Sequence, residues 1–131
     1  MNIKNYIQGE FFSPMLDHWI DNYNPSNGQI YGKIPSSSKE DVDRAYLAAK
    51  NAFPGWSNTS LEKKSRILSK IAQLIINKLP ELAIAEAKDN GKPYQLAKKI
   101  DIPRAAANFQ FFANAITQFS SESHETTGLN A

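Results

Sequence analysis

The chain has 131 residues, of which 41% are hydrophobic and 21% are charged, and its formal net charge is +2 at pH 7. This length is enough for one domain with a modest core, and so small a charge argues against a nucleic-acid partner. Cysteine is absent, which excludes disulfides, thiolate metal sites and a cysteine nucleophile from these residues. No apolar run approaches the roughly 20 residues that cross a bilayer. The stretch MNIKNYIQGEFF lacks the apolar region of a signal peptide, so the expected location is cytoplasmic, with no membrane partner.

The N-terminal part carries strand and turn signals. YIQGEFF places Gln8-Gly9 between aromatic and β-branched residues and predicts a tight hairpin, because glycine adopts positive φ readily. Two further short strands are predicted at about Trp19–Tyr23 and Gln29–Ile34. The residues Asn24 to Gly28, which join them, are dense in turn formers.

The spacing of apolar residues then changes from two to 3.6, which predicts helices. The first begins at a capping box of Ser38 and Asp41 and is expected to stop at Pro54-Gly55. A second capping pattern, Thr59 with Glu62, opens the next helix. The predicted core residues of these two helices are Val42, Ala45, Tyr46, Ala49, Phe53, Ile67, Leu68, Ile71, Leu74, Ile75 and Leu79.

The remaining helices are marked by prolines and a glycine cap. Pro80 stands in the first turn of a helix that Asn90-Gly91 closes, and Pro93 opens the short helix YQLAKK. Asp101 is the expected N-cap of a last helix that runs to about Phe119. The predicted core face of that helix is Ile102, Ala105, Phe109, Phe112, Ala113, Ile116 and Phe119.

Together these signals predict an α+β fold. Short antiparallel β hairpins occupy about residues 4–35, four to five α-helices occupy about residues 38–120, and residues 121–131 form a polar tail. The sequence shows no internal repeat.

The last helix has a second face that contains Arg104, Asn108, Phe111 and Ala115, and Ile100 extends it backwards if helical geometry continues. This face is a candidate carboxylate site, because a planar guanidinium donates to two carboxylate oxygens at once. The spacing by itself favours the simpler interpretation, in which Arg104 and Asn108 are solvent-facing residues near a helix start. His18 and His124 are each isolated in polar stretches, so we expect neither a catalytic role nor a metal site for them.

Four segments of the chain occur in the same order as similar segments of a known family. They are YIQGEFF, NYNPSNGQIYGKIP, AFPGWSNTSLEKKSRIL and DNGKPYQLA. They resemble, in the same order, the opening hairpin, the N-P-x-T-G-x-x-x-G-x-x-P segment, the A-F-x-x-W segment and the D-T-G-K-P segment of the aldehyde dehydrogenase superfamily. Asn27 and Asn90 stand where that family usually has threonine. The resemblance covers essentially the whole chain and is confined to the N-terminal portion of the family.

The segment DIPRAAANFQFFA resembles most closely the branch that oxidises 2-hydroxymuconic and 2-aminomuconic semialdehydes. The resemblance implies that Arg104 binds the substrate carboxylate in an intact enzyme and that Ile100, one turn earlier, lines the substrate tunnel. Asn108, one turn later, is a further extrapolation from the same pattern.

The family mechanism uses a cysteine thiolate, a glutamate that activates water, and NAD or NADP bound to a Rossmann-like domain. This sequence has no cysteine and none of the segments P-W-N, G-S-T-x-x-G and E-L-G-G-K. The resemblance therefore implies a partial aldehyde dehydrogenase fold that lacks the Rossmann core and the catalytic domain. It implies no catalytic, cofactor-binding or metal-binding residue here, and no activity of the chain alone.

Two alternatives to an inactive N-terminal fragment stay open from the sequence. One is a non-catalytic binding module that associates with itself or docks on intact aldehyde dehydrogenase subunits. The other is an unrelated helical interaction protein, which four ordered motif matches disfavour.

Overall fold

Two antiparallel hairpins precede the helices in a computed structural model that describes residues 2–120. The first pairs β1 (Asn5–Ile7) with β2 (Glu10–Phe12). At its turn both Gln8 (φ 53°) and Gly9 (φ 88°) have positive φ, as a two-residue type I′ turn requires. The predicted turn is therefore confirmed.

The second hairpin pairs β3 (Trp19–Asn24) with β4 (Gln29–Pro35), and each strand is one residue longer than predicted. Its register shifts after Asn22. In the turn, the Gly28 N–H donates to the Asn24 carbonyl at 2.8 Å, with Gly28 at φ 69°. This hairpin, too, is confirmed.

Five helices follow, and the predicted α+β class is confirmed. Their bounds are α1 (Lys39–Ser57), α2 (Leu61–Asn77), α3 (Leu79–Asn90), α4 (Tyr94–Leu96) and α5 (Ile102–Ala115), with a π-helical segment (Ala97–Asp101) that joins α4 to α5. None of the helices within residues 2–120 combines the length and the apolar character that a membrane crossing requires. The predicted tail at 121–131, including His124, lies outside the described residues.

The predicted capping box at the start of α1 is confirmed, and it also attaches this helix to the chain before it. The Ser38 N–H donates to the Asp41 carboxylate at 2.9 Å, and the Met15 N–H donates to it at 3.2 Å. These backbone donors, that of Ser38 first, hold the pKa of the buried Asp41 carboxyl below its usual value. The Arg44 guanidinium lies 3.6 Å from the centre of the Phe12 ring in β2. Helix α1 is therefore held on the first hairpin by its first turns.

Several local predictions about helix ends were wrong. Helix α1 continues past Pro54-Gly55 to Ser57, and the Pro54 carbonyl accepts from the Asn58 N–H. The N-cap of α2 is Ser60, whose hydroxyl accepts from the Lys63 N–H, and not Thr59. The Thr59 hydroxyl instead donates to the Gly55 carbonyl at 2.9 Å and so belongs to the end of α1.

Asp101 is the third correction: it is not a cap. Its backbone is helical (φ −66°, ψ −51°) and its side chain makes no capping hydrogen bond. The chain is already wound when it reaches Asp101, since α4 and the π segment precede it. No free helix end exists there for a side chain to cap.

The end of α3 at Gly91 is as predicted. Gly91 has φ 77° and its N–H donates to the Ala87 carbonyl at 3.0 Å, an αL cap. A β-carbon at this position would lie 3.0 Å from Cβ of Pro25, in the turn of the second hairpin. Gly91 therefore combines a left-handed cap with a close approach between α3 and that hairpin.

The core consists mainly of small residues. Among the described residues the buried hydrophobic side chains are Ile7, Ala72, Ala83, Ala97, Ala106 and Ala113. Helices α2 and α5 form the most extensive contact between helices, with Ala72 on one and Ala106 and Ala113 on the other. Because alanine side chains are small, the backbones of the two helices can approach closely. This contact positions α5 firmly against α2.

Much of the predicted core face is exposed. In α5, Ala113 is buried as predicted, but Phe112 is 61% exposed. The helix ends at Ala115 and not at about Phe119 as predicted, and Phe119 beyond its end is 79% exposed. In α1, Val42 and Phe53 are 59% and 65% exposed. The helical periodicity was right, but no described element covers these faces, so the expected burial was wrong for this chain.

Candidate carboxylate-binding site

The first turns of α5 present the residues that the sequence singled out. Arg104 and Asn108 are both exposed and lie one turn apart, so their side chains leave the same face of the helix. Phe111 follows on that face and is also exposed. The opposite face of α5 contains the buried Ala106 and Ala113 that pack towards α2. The candidate face is therefore turned away from the helix that holds α5 in place.

The Arg104 guanidinium is available for a ligand. Among residues 2–120, no carboxylate forms an ion pair with it. A guanidinium presents five donors in a planar fork, which matches the two oxygens of a carboxylate. The arrangement can bind a carboxylate from solvent or from a substrate.

Ile100 precedes this face in the π segment and is 50% exposed. The Ile102 N–H donates to the Ala97 carbonyl, five residues back, and this bond defines the wider turn. Helical geometry does continue from Ile100 to Arg104, but with one residue more per turn than the α-helical extrapolation assumed. Nothing in the residue pattern signalled the π segment.

An ion-pair cluster connects this turn to α3. The Lys92 ammonium lies 2.8 Å from Oδ2 of Asp101 and 3.1 Å from Oε1 of Glu86. Two hydrogen bonds raise the pKa of Lys92 above its ordinary value, and the one to Asp101 has a larger effect than the one to Glu86. Sequence reasoning missed the cluster, because Asp101 was assigned to a cap.

A second polar cluster joins α3 to the hairpin β3–β4. Asn22 Nδ2 donates to the Asp89 carboxylate at 3.1 Å, and the Tyr31 hydroxyl donates to the same oxygen. The bond to Asp89 raises the pKa of the Tyr31 hydroxyl, and the bond from Tyr31 lowers the pKa of the Asp89 carboxyl. The C-terminal turn of α3 is thus attached to the hairpin β3–β4 through Asp89 and to the π segment through Glu86 and Lys92.

The model of the aldehyde dehydrogenase family matches residues 12–130. This chain belongs to the aldehyde dehydrogenase family. The resemblance noted in the sequence, including its branch, is therefore confirmed by the comparisons.

Several curated members of the family are similar to this chain. It is 44% identical over 120 residues to the 2-aminomuconic semialdehyde dehydrogenase of Bos taurus, a match that covers 92% of this chain and 24% of the relative. It is 36% identical over 124 residues to the 2-hydroxymuconic semialdehyde dehydrogenase of Pseudomonas sp. (strain CF600), covering 94% of this chain and 26% of the relative. The chain thus spans about a quarter of the length of the curated relatives it matches.

A solved structure of the family shares the fold. A crystal structure of PnpE in complex with nicotinamide adenine dinucleotide matches with a TM-score of 0.91 and 32% identity. The match covers 96% of this chain and 26% of that one. The two hairpins and five helices described above are therefore an established part of a larger aldehyde dehydrogenase fold.

The chemistry of the family needs groups that this chain does not contain. The 131 residues include no cysteine to form a thiolate, and none of their six glycines stands in the G-x-G-x-x-G spacing that cradles a dinucleotide phosphate. Within the part of the chain that the structure describes, no three His, Cys, Asp or Glu side chains group around a metal position. The residues present thus do not fit a nicotinamide cofactor.

Proposed function

We propose that this chain is the N-terminal portion of an NAD-dependent aldehyde dehydrogenase that oxidises a carboxylate-bearing semialdehyde. Arg104 would bind the substrate carboxylate, while Ile100 and Asn108 border the same site on the turns before and after it. The observation that carries the proposal is the exposed Arg104 guanidinium, free of any described carboxylate, in a chain 44% identical to a 2-aminomuconic semialdehyde dehydrogenase. The thiolate, the base and the dinucleotide pocket would come from other residues of the complete enzyme.

The proposal supposes that substrate recognition and chemistry lie in different parts of the enzyme. NAD held by other residues of the complete enzyme would supply the hydride acceptor for the oxidation. Arg104 would hold the far end of the semialdehyde, so that its aldehyde end is presented to the thiolate in one orientation. Positive charge at one end of the site would also favour a charged semialdehyde over a neutral aldehyde of the same length.

A chimeric enzyme tests this proposal. Residues 1–131 replace the corresponding quarter of the 2-hydroxymuconic semialdehyde dehydrogenase of Pseudomonas sp. (strain CF600), and NADH formation is measured with 2-hydroxymuconic semialdehyde. We expect the chimera to turn over and the 131-residue chain alone to give no NADH. Turnover by the purified chain alone would contradict the proposal, as would a chimera that binds NAD and sediments like its parent but does not oxidise the semialdehyde.

A second proposal concerns the chain by itself. Large apolar side chains on α1 and α5 are exposed, among them Val42, Phe53 and Phe112. Exposed apolar patches of this kind mark surfaces that bind protein. We propose that the isolated chain associates through them, with itself or with intact aldehyde dehydrogenase subunits.

Sedimentation velocity over a wide range of concentrations measures this association. We expect the sedimentation coefficient of the chain to rise with concentration, and the double substitution Val42→Ser with Phe53→Ser to weaken that rise. The substitution Lys63→Ser, at an exposed position of α2, is the control and should leave it unchanged. A chain that stays monomeric at every concentration, and that does not change the sedimentation of an intact aldehyde dehydrogenase mixed with it, contradicts this second proposal.

A further inference from the structure

Lys92 joins helix α3 to the π segment. It follows the cap of α3, and its ammonium bridges Glu86 on α3 and Asp101 at the end of the π segment, at 3.1 and 2.8 Å. Asn90 supports the arrangement, since its side-chain N–H donates to Oε1 of Glu86 at 2.6 Å. One cation thus joins two carboxylates from two different elements.

The backbone of Lys92 is fixed as well. Its N–H donates to the Asn90 side-chain oxygen at 3.0 Å. The preceding residue, Gly91, is confined by its left-handed cap and by its approach to Pro25. The backbone from which the Lys92 side chain extends towards Asp101 is therefore fixed.

The position of Asp101 matters because it ends the π turn. The Ile102 N–H reaches back to Ala97, so the turn contains one more residue than an α-helical turn. Rewinding it as α-helix would rotate the residues on one side of the turn relative to the other by about 100°, the angle between neighbouring residues. Helix α5 is held against α2 by Ala106 and Ala113, so this change of register would displace Asp101 from Lys92.

We propose that Lys92 is a positioning residue for the site formed by Ile100 and Arg104. By holding Asp101 beside Glu86 it keeps the π register, and that register fixes the direction in which Ile100 leaves the helix relative to Arg104 in the first turn of α5. The inference rests on the proposed role of Arg104 in binding a substrate carboxylate. Lys92 itself has no part in contacting the substrate.

The exposure of the pair separates this role from a purely stabilising one. The side chains of Lys92 and Asp101 are 27% and 31% exposed, so the pair is part-buried and solvent screens part of its attraction. Ion pairs that solvent reaches add modestly to the global free energy of unfolding. Loss of the pair should therefore act mainly on the local turn and on the side chains that it orients.

Hydrogen exchange and carboxylate binding by the 131-residue chain test the inference together. Lys92→Met keeps the length of the side chain and removes its charge. We expect the Ile102 amide to exchange about three- to tenfold faster in this variant, with amides in the centre of α2 unchanged. The probe of binding is sorbate, a six-carbon dienoic carboxylate, observed through the NMR signal of the Arg104 Nε–H. Its affinity should fall by about the same factor.

Two variants serve as controls. Lys92→Arg restores a cation that can bridge two carboxylates and should recover most of both losses. Lys99→Met removes an exposed charge from the same π segment and should alter neither measurement. A uniform rise in exchange across α2 and α5 in Lys92→Met would show a structural role and overturn the inference.

The remaining outcomes are also distinguishable. If Lys92→Met leaves both the Ile102 exchange and the sorbate affinity unchanged, Lys92 does not position the site of Ile100 and Arg104. If the wild-type chain shows no sorbate response at Arg104, the proposed role of Arg104 fails. Whether Lys92 maintains the π register is then decided by the Ile102 exchange alone.

Discussion

Replacing Arg104 with methionine in the chimeric enzyme is expected to lower kcat/KM for 2-hydroxymuconic semialdehyde by about 10- to 100-fold. The estimate corresponds to the loss of charge-assisted hydrogen bonds to a carboxylate. Most of the effect should appear in KM, because the interaction is made in the bound substrate as well as in the transition state. The measurement is the steady-state formation of NADH at varied semialdehyde concentration.

The matched control is a change of substrate. 2,4-Hexadienal has the same six-carbon chain, a methyl group in place of the carboxylate and no 2-hydroxyl group, so Arg104→Met should leave its kcat/KM nearly unchanged. Arg66→Met, an exposed position on α2, should affect neither substrate. Equal losses with both aldehydes would mean that Arg104 supports the fold and does not recognise the carboxylate.

The second large effect is expected at Gly91. Gly91→Ala should lower the free energy of unfolding by about 2 kcal/mol, because an L-residue at this left-handed position is strained by about 1–2 kcal/mol. The new Cβ would also lie 3.0 Å from Cβ of Pro25, so α3 and the second hairpin must separate slightly. Urea denaturation followed by circular dichroism measures the change.

Gly55→Ala provides a control of opposite sign. Gly55 lies inside α1, and a Cβ there meets nothing within 4 Å. Alanine should therefore stabilise the chain by about 0.5–1 kcal/mol through its helix propensity. A Gly91→Ala variant as stable as the wild type would show that the cap and the contact with Pro25 are not under strain.

Local signals predicted those parts of the fold that are decided within a few residues. The turn at Gln8-Gly9, the capping box at Ser38 and the cap at Gly91 each depend on conformational preferences of the residues concerned. Neighbouring residues settle such features, so the sequence pattern was sufficient. Asp101 shows the limit. Its residue type suits a cap, but a lysine nine positions earlier engages its carboxylate.

Burial was the least predictable property, and the candidate site shows why. The spacing of Phe53 and Phe112 indicates an apolar face, but only the surrounding structure decides whether another element covers it. Arg104 and Asn108 were found on one exposed face as their spacing predicted. The π segment before them was not predictable, because an extra residue in a helical turn leaves no residue signature and depends on packing against α3.

The alanine contact between α2 and α5 also shapes how the chain responds to temperature. Among the described residues no large side chain is completely buried. The heat capacity gained on unfolding grows with the apolar area newly hydrated, about 12–15 cal/mol/K per residue in ordinary globular proteins. A smaller increase in heat capacity on unfolding flattens the curve of unfolding free energy against temperature. Cooling and moderate warming therefore alter the folded population less than in a domain filled with leucine and phenylalanine.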